Sequence, residues 1–459
     1  MAETYSSLVA LFTDIADAIR EKTGDTDSIL ADEFPDMIRE RLQMPSHPYL
    51  TFNSPSSFTL KVNDTTKHWD GTLEYSTDTS TWSTWDGATT LSSVANGSDN
   101  VLYLRGTGNT VITGNNSSYR WALTGSDVAC IGNIEYLLDY ATVESGAHPT
   151  MADYCYYYMF YNCSSLTQAP ALPATTLAKY CYQNMFYGCT GLTKAPVLSA
   201  TTLAINCYQN MFSGCTSLAK APALPATTLA DRCYRGMFDK CTSLTQAPAL
   251  PATTVADYCY SSMFRGCTSL TQAPTLPATS LANNCYQNMF YNCSSLTQAP
   301  ALPATTLANS CYSNMLQNCT SLTQAPALPA TSLMDKCYYN MFSGCTGLTQ
   351  APTLPATTLA NSCYYAMFAA CTSLTQAPVL PATTLANYCY QYMFKGCTGL
   401  KLSATQTGEY TQEYRIPSSG TGTTATNALG DMFTSTGGTF TGTPVINTTY
   451  YLSNTNTVV

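Results

Sequence analysis

The chain has 459 residues, a formal net charge of −9 at pH 7 and only 10% charged residues. An acidic surface with few cations cannot neutralise many phosphates, which argues against a nucleic-acid partner. No apolar run reaches the ~20 residues of a membrane-spanning helix, which argues against membrane insertion. This length favours several modules or one long repeat array over a single ordinary domain.

Residues 1–45 are predicted to form a helical segment. Leu8, Phe12 and Ile15 recur at helical spacing, and "EFPDMIRERL" predicts a second helix with Pro35 in its first turn. Two such helices bury too little apolar surface to be stable alone. We therefore expect this segment to dock on an oligomer, on the next domain or on a larger assembly.

The stretch "LFTDIADAIREKTGDTDSILADEFPDMI" within this segment resembles the N-terminal segment of bacteriophage tail proteins and other virion proteins. The resemblance implies that residues 1–45 bind other virion proteins and anchor the chain to the particle. It also implies a location in the virion, with the remaining chain exposed on the particle surface.

Residues 46–150 predict a small β-rich, immunoglobulin-like domain that ends in an N-terminal cap for the following repeats. Runs such as "YLTFN", "SFTLKV" and "NVLYLRG" are strand-like and are separated by Asn, Asp, Gly and Ser turns, as in a β-sandwich. All four tryptophans, Trp69, Trp82, Trp85 and Trp121, fall in this region. We interpret them as core aromatics rather than as a sugar site.

Residues 151–400 repeat with a period of 26, and methionine recurs ten times at this spacing, from Met159 to Met393. A fixed period of roughly 20 to 50 residues is the signature of a solenoid. Each coil predicts a short helix, followed by a short parallel strand in "CTSLTQAP". We therefore predict an α+β repeat solenoid of ten 26-residue coils. Residues 401–459 lose the period but repeat "DMF" once, which predicts a degenerate C-terminal capping region.

Twenty of the 21 cysteines occupy two fixed slots in the coils, first filled by Cys155 and Cys163. Their spacing and the absence of histidine from the array argue against a zinc site. Neighbouring helices would lie ~8–10 Å apart, too far for disulfides between coils. Apolar surroundings argue against reactive thiols. We expect buried, free thiols that act as small core residues, with no metal and no cofactor.

Two further residue types recur at fixed slots, one in every coil and the other in seven of the ten. A tyrosine follows the first cysteine of each coil, from Tyr156 to Tyr390, which predicts a stacked structural ladder. Glutamines such as Gln246 and Gln298 predict an exposed row on the strand side. Two explanations account for this row of glutamines. Their amide groups either form hydrogen bonds with one another or bind a ligand.

The pattern "MFxGCTSLTxAPxLPATTLA" resembles the BspA-like class of leucine-rich repeats, found in bacterial surface proteins and in bacteriophage structural proteins. The resemblance covers residue 151 to about residue 400, and it implies a leucine-rich-repeat fold that binds partners without catalysis. The residues agree, because acidic side chains in the array are scattered singly and histidine is absent, so no acid–base pair is visible.

Positions that differ among the ten coils are not fixed by packing, so we interpret them as exposed surface. Tyrosine and arginine dominate recognition surfaces, which makes the predicted helix side the candidate binding face. Its residues are Tyr157, Tyr158, Tyr161, Arg232, Arg235, Asp239, Lys240, Arg265, Tyr339, Tyr365 and Tyr392.

These observations favour a non-enzymatic bacteriophage virion surface protein of the tail-fibre, head-fibre or receptor-binding type. Its solenoid would bind a protein or glycan on the host-cell surface, and a homo-oligomer is compatible with this role. One alternative is an architectural spacer or decoration protein without a specific ligand. The other is a bacterial cell-surface adhesin of the BspA-like type, for which the sequence offers no recognisable secretion signal.

Overall fold

The computed structural model describes residues 47–417 and 425–459. The helices predicted within residues 1–45 lie outside these ranges. In the described ranges the regular elements are β1 (Leu50–Ser54), β2 (Thr59–Val62), β3 (Thr72–Ser76), β4 (Ser83–Thr84), β5 (Leu91–Ser92), β6 (Val94–Asn96), β7 (Asp99–Thr107), a 3-10 turn (Ser117–Tyr119), β8 (Trp121–Thr124), β9 (Val128–Ile131), α1 (Tyr136–Glu144), β10 (Leu166–Gln168), β11 (Gln376–Ala377), β12 (Leu402–Ser403), β13 (Tyr410–Arg415), β14 (Thr449–Ser453) and β15 (Thr457–Val458).

Strands β1 to β9 form two sheets that share one core. In the larger sheet the order is β10-β9-β1-β7-β3-β4, with β6 also paired to β7, and the smaller sheet has the order β5-β2-β8. Trp69, Trp85 and Trp121 are buried between them, with neighbouring ring centroids 5.2 and 5.4 Å apart. Trp82 is instead partly exposed and covers Arg105, whose guanidinium lies 4.0 Å from the ring centroid.

The larger sheet continues directly into the repeats. Strand β9 pairs in parallel with β10, which belongs to the first coil. The N–H of Trp121 donates to the carbonyl oxygen of Met159 at 2.8 Å, and the N–H of Ile112 donates to Cys155 at 2.9 Å. The backbone groups at the start of the array are therefore bonded to the preceding domain instead of to water.

The prediction of one short helix per coil is wrong. Residues 154–163, and the segments at the same place in the next nine coils, form a chain of overlapping β-turns that we call the turn ladder. Within it every fourth residue is left-handed: φ is 63° at Tyr154, 59° at Tyr158 and 59° at Asn162. The same three slots have positive φ in all ten coils. A right-handed helix cannot contain such residues.

Backbone hydrogen bonds of the turn ladder alternate between two directions. The N–H groups of Tyr156 and Tyr158 donate to the carbonyl oxygens of Cys181 and Gln183 in the next coil, at 2.9 and 3.0 Å. The N–H of Met159 instead donates to Tyr156 within its own coil, at 3.2 Å. Half of the amides thus close turns and half join coils, so this buried backbone is satisfied without a helix.

Coils that are joined by backbone hydrogen bonds lie closer than packed helices could. The buried tyrosines that follow the first cysteine stack on one another, with Tyr182 and Tyr208 centroids 5.7 Å apart. A second ladder is formed by the phenylalanines, with Phe212 and Phe238 also 5.7 Å apart. The helix-to-helix distance that we expected between coils is therefore wrong too, because helices pack ~8–10 Å apart.

At Gly236, a close approach as well as the φ value favours glycine. Gly236 has φ 61°, and a Cβ at this position would collide with the side-chain oxygen of Asn210 in the preceding coil. Asparagine tolerates the left-handed region better than most residues do. Asn in one coil can therefore be followed by Gly at the same slot of the next coil.

All 21 cysteines are free and buried. The thiol of Cys189 donates to the carbonyl oxygen of Phe160 in the preceding coil at 3.0 Å, and Cys215 repeats this contact on Phe186 at 3.1 Å. Burial raises the pKa of Cys293 to about 12. These side chains are neutral thiols that pack in the core, and those at the slot of Cys163 also donate one weak hydrogen bond each, which agrees with the sequence interpretation.

The strand side of the array is more irregular than predicted. Outside β10 and β11, neighbouring coils meet there through isolated parallel bridges, such as those linking Gln246 to Gln272 and Gln272 to Gln298. These glutamines are exposed. On this side neighbouring coils are joined by isolated backbone bridges, whereas the turn ladder joins them by a continuous series of backbone hydrogen bonds.

Residues 425–459 close the far end of the array. Asn427, Asp431 and Ser435 repeat the left-handed slots, and Phe433 stacks on Phe394 at 5.5 Å. The chain then adds β15 in parallel to β11. The fully buried Asn456 donates its side-chain amide to the carbonyl oxygens of Thr375 and Gly399 at 3.1 and 3.0 Å, which satisfies groups at this end.

We expect Phe238→Ala to lower the free energy of unfolding by about 3–5 kcal/mol, because the ring is fully buried between Phe212 and Phe264. Phe238→Leu is the matched control, since Leu316 fills the same slot in another coil. Urea denaturation of both variants measures the difference. Equal losses for Ala and Leu would contradict the packing role of the ladder.

Candidate binding face of the turn ladder

The turn ladder alternates two inward and two outward residues. In the first coil Cys155, Tyr156, Met159 and Phe160 are buried, whereas residues 154, 157, 158 and 161 are partly exposed. This alternation follows from the left-handed residue at every fourth position of the turn ladder. We call these four positions the outward slots of a coil, although small residues there, such as Ser213 and Ser261, are buried. The candidate residues predicted from the sequence all occupy outward slots or the adjoining slot of Lys240.

Six partly exposed tyrosines form one cluster on the first two coils. Tyr157 and Tyr158 meet edge to face at 4.5 Å, Tyr158 continues to Tyr161 at 4.9 Å, and Tyr154 stacks on Tyr180 at 4.5 Å. We call this set, completed by Tyr187 stacked on Tyr161, the N-terminal tyrosine cluster: Tyr154, Tyr157, Tyr158, Tyr161, Tyr180 and Tyr187.

The phenols of Tyr154, Tyr157 and Tyr158 in this cluster are neutral at physiological pH. Burial, followed by the neighbouring Tyr158, raises the pKa of Tyr157 to about 12. Burial also raises the pKa of Tyr154 and of Tyr158. Arg120 lies beside the cluster, with its guanidinium carbon 5.4 Å from the ring centroid of Tyr161. The surface is thus a set of hydroxyl donors and acceptors beside the Arg120 guanidinium.

A second group lies in the fourth and fifth coils. The guanidinium carbons of Arg232 and Arg235 lie 4.9 and 5.8 Å from the ring centroid of Tyr258, distances typical of cation–π contacts. Arg235 is exposed and Arg232 partly so. These three residues form what we call the arginine cluster.

Asp239 and Arg265 form a bidentate ion pair between neighbouring coils. Both nitrogen–oxygen distances are 2.8 Å, and the side chains are 12% and 41% exposed respectively. The hydrogen bond to Asp239 raises the pKa of the Arg265 guanidinium. Asp239 is thus largely buried and paired, so its role is to hold two coils together rather than to offer a free carboxylate.

A third group occupies the eighth to tenth coils. Tyr339 stacks on Tyr365 at 4.6 Å, Tyr392 meets Tyr365 edge to face at 5.4 Å, and the Lys395 ammonium lies 4.7 Å from the Tyr392 ring centroid. Burial, followed by Tyr339, raises the pKa of Tyr365 to about 12. We call these four residues the C-terminal tyrosine cluster.

The candidate residues therefore share one face, where they are divided among the two tyrosine clusters, the arginine cluster and the Asp239–Arg265 pair, with Lys240 exposed next to Asp239. Sequence reasoning missed several members, because it did not align every outward slot. Tyr180 repeats the slot of Tyr154, and Tyr187 that of Tyr161, one period later. Alignment of all four slots would also have found Tyr258 and Lys395.

Among the described residues no three or more His, Cys, Asp or Glu side chains are placed to hold a metal ion. In the same ranges no helix is both long and apolar enough to cross a membrane. The face offers aromatic rings, phenol hydroxyls and guanidinium groups. Such groups recognise a ligand by stacking and hydrogen bonding.

Comparison with protein families gives one match. The model described as "BspA type Leucine rich repeat region (6 copies)" matches residues 138–263, 231–375 and 283–413. Together these ranges run without a gap from residue 138 to residue 413, which is more than half of the chain. The matches do not include residues 1–45, so the virion resemblance of that segment stays a prediction. No curated protein and no solved structure matches the chain.

Arg265→Ala should lower the free energy of unfolding by roughly 1–2 kcal/mol, because it leaves the largely buried Asp239 carboxylate unpaired. Arg235→Ala removes an exposed arginine on the same face and should change stability by less than about 0.5 kcal/mol. Chemical denaturation compares the two, with Asp239→Asn in the Arg265→Ala background as the rescue. Equal effects of the two arginine variants would refute a structural role for the pair.

Proposed function

Because the chain belongs to the BspA-type leucine-rich repeat family, we propose that it is a non-enzymatic binding protein whose turn-ladder face contacts a partner on a cell surface. The observation that carries this proposal is the contrast between the inward and the outward slots of each coil. Inward slots keep Cys, Tyr, Met and Phe almost without exception, whereas outward slots change from coil to coil. Variable residues on a constant scaffold are how repeat proteins build extended binding surfaces.

The chemistry of the described residues supports binding over catalysis. Asp139 accepts hydrogen bonds from the N–H groups of Gly108 and Thr142, and His148 pairs with the buried Glu135 at 2.8 Å. These groups hold α1 and the loop after it in place. The thiols are buried and their pKa values are raised by burial, the opposite of an activated nucleophile.

The second part of the proposal concerns the particle that carries the array, which is either a bacterial cell or a virion. Family membership supports a bacterial cell-surface adhesin. The resemblance of residues 1–45 to virion proteins supports attachment of a bacteriophage to its host. Antibody labelling of intact bacterial cells and of purified virions distinguishes these carriers, and the turn-ladder face serves attachment in either case.

Labelled full-length protein should bind whole cells that carry its partner, and binding should depend on the turn-ladder face. Arg235→Ser combined with Tyr365→Ser should weaken binding at least about tenfold, since tyrosine and arginine anchors each contribute more than ~1 kcal/mol at recognition surfaces. Gln298→Ser with Gln324→Ser, on the strand side, is the matched control and should leave binding unchanged.

Flow cytometry of labelled cells gives both affinities. A larger loss from the glutamine pair would move the binding face to the strand side. No binding to any bacterial or host cell tested would favour the architectural spacer and overturn the adhesive function.

A further inference from the structure

We propose that the N-terminal tyrosine cluster binds a neutral oligosaccharide, an inference that rests on the binding function proposed above and names its ligand class. The cluster is not needed for stacking of the coils. The first coil has tyrosine in all four outward slots, whereas the second coil has Tyr180, Gln183, Asn184 and Tyr187 there. Packing constraints common to all coils therefore do not account for this concentration of rings.

The backbone conformation points in the same direction. Tyr154, Tyr158 and Tyr180 have φ values of 63°, 59° and 61°. The left-handed region disfavours large side chains and is best tolerated by Gly and Asn. Most other coils comply in the slot of Tyr158, with Asn184, Asn210, Gly236, Asn288, Asn314 and Asn340. Tyrosine at this slot is therefore held at a conformational cost, as is common at functional sites.

The geometry of the rings suits a chain of sugar units. Successive centroids from Tyr154 through Tyr157 and Tyr158 to Tyr161 are 5.4, 4.5 and 4.9 Å apart. Pyranose rings pack their C–H faces on aromatic rings and bond their hydroxyl groups to phenols, which both donate and accept. Tyrosine has few rotatable bonds, so such a surface loses little conformational entropy when it binds.

The electrostatics favour an uncharged ligand. The exposed Asp153 and Lys179 lie next to Tyr154 and Tyr180 in the chain, and Arg120 flanks Tyr161, so charges of both signs surround the cluster. Stacking of Tyr154 on Tyr180 at 4.5 Å leaves no room for a cation between these rings.

An apolar protein ligand is a poorer fit. Among the described residues the exposed large aliphatic side chains are Val94, Val197, Met334, Val379 and Val445, and none belongs to the cluster. The surface therefore combines aromatic rings with hydroxyl groups and lacks the aliphatic contacts that an apolar peptide would need.

The test measures binding of the full-length protein to a microarray of neutral hexose and N-acetylhexosamine oligosaccharides, with a heparin-derived hexasaccharide as the anionic comparison. Titration calorimetry then gives the affinity for the best ligand. We expect Tyr158→Asn to weaken it at least tenfold while the melting temperature stays equal or rises, because asparagine fills this left-handed slot in other coils.

Tyr388→Asn is the matched control. Tyr388 is also left-handed, with φ 58°, and it fills the slot of Tyr154 at the other end of the array. Its replacement should not change the affinity. Equal losses from both variants, no binding to any neutral oligosaccharide, or stronger binding of the heparin hexasaccharide would each overturn the proposal.

Periodate treatment of target cells separates this inference from the function on which it rests. Loss of binding after oxidation of the cell-surface sugars supports the oligosaccharide ligand. Undiminished binding to treated cells would refute the oligosaccharide but leave a cell-binding function intact. Absence of binding to untreated cells would refute the cell-binding function even if isolated oligosaccharides bind.

Discussion

The contacts between coils along the turn ladder depend on the placement of a left-handed residue at each fourth position. This placement turns alternate N–H groups towards the next coil and leaves the others to close turns, as at Tyr158 and Met159. Backbone bonds across the coils set a short distance between them. At that distance the buried tyrosine and phenylalanine rings of successive coils stack at 5.6 to 5.9 Å.

The same placement determines which side chains are available for function. Because residues alternate two inward and two outward, Cys, Tyr, Met and Phe fill the interior, and the slots of Tyr154, Tyr157, Tyr158 and Tyr161 face outward. Outward residues of adjacent coils come into contact although they are one period apart in the chain. The Asp239–Arg265 pair and the stack of Tyr339 on Tyr365 arise in this way. The contacts on the outward face are thus formed between residues of neighbouring coils.

Much of this was visible in the sequence, and the main error has an identifiable cause. The period, the buried cysteines and the tyrosine ladder follow from constant residues at constant spacing. The turn ladder was mistaken for a helix because inward residues such as Cys155, Met159 and Cys163 recur every four positions. A helix and a chain of turns share this spacing. The distinguishing signal was the row of Asn, Gly and Ser at the slot of Tyr158, from Asn184 to Asn340. Contacts between outward slots could not be assigned before the coil spacing was known.

The most direct test of the turn ladder is the relative stability of Asn288→Gly and Asn288→Ala. Asn288 has φ 55°, and its N–H donates to Ser313 in the next coil at 2.9 Å. A left-handed slot penalises alanine by roughly 1 kcal/mol or more, so the glycine variant should have the larger free energy of unfolding. A helix would give the opposite order, because glycine costs about 0.5–1 kcal/mol relative to alanine there. Urea denaturation that finds the alanine variant more stable would contradict the account.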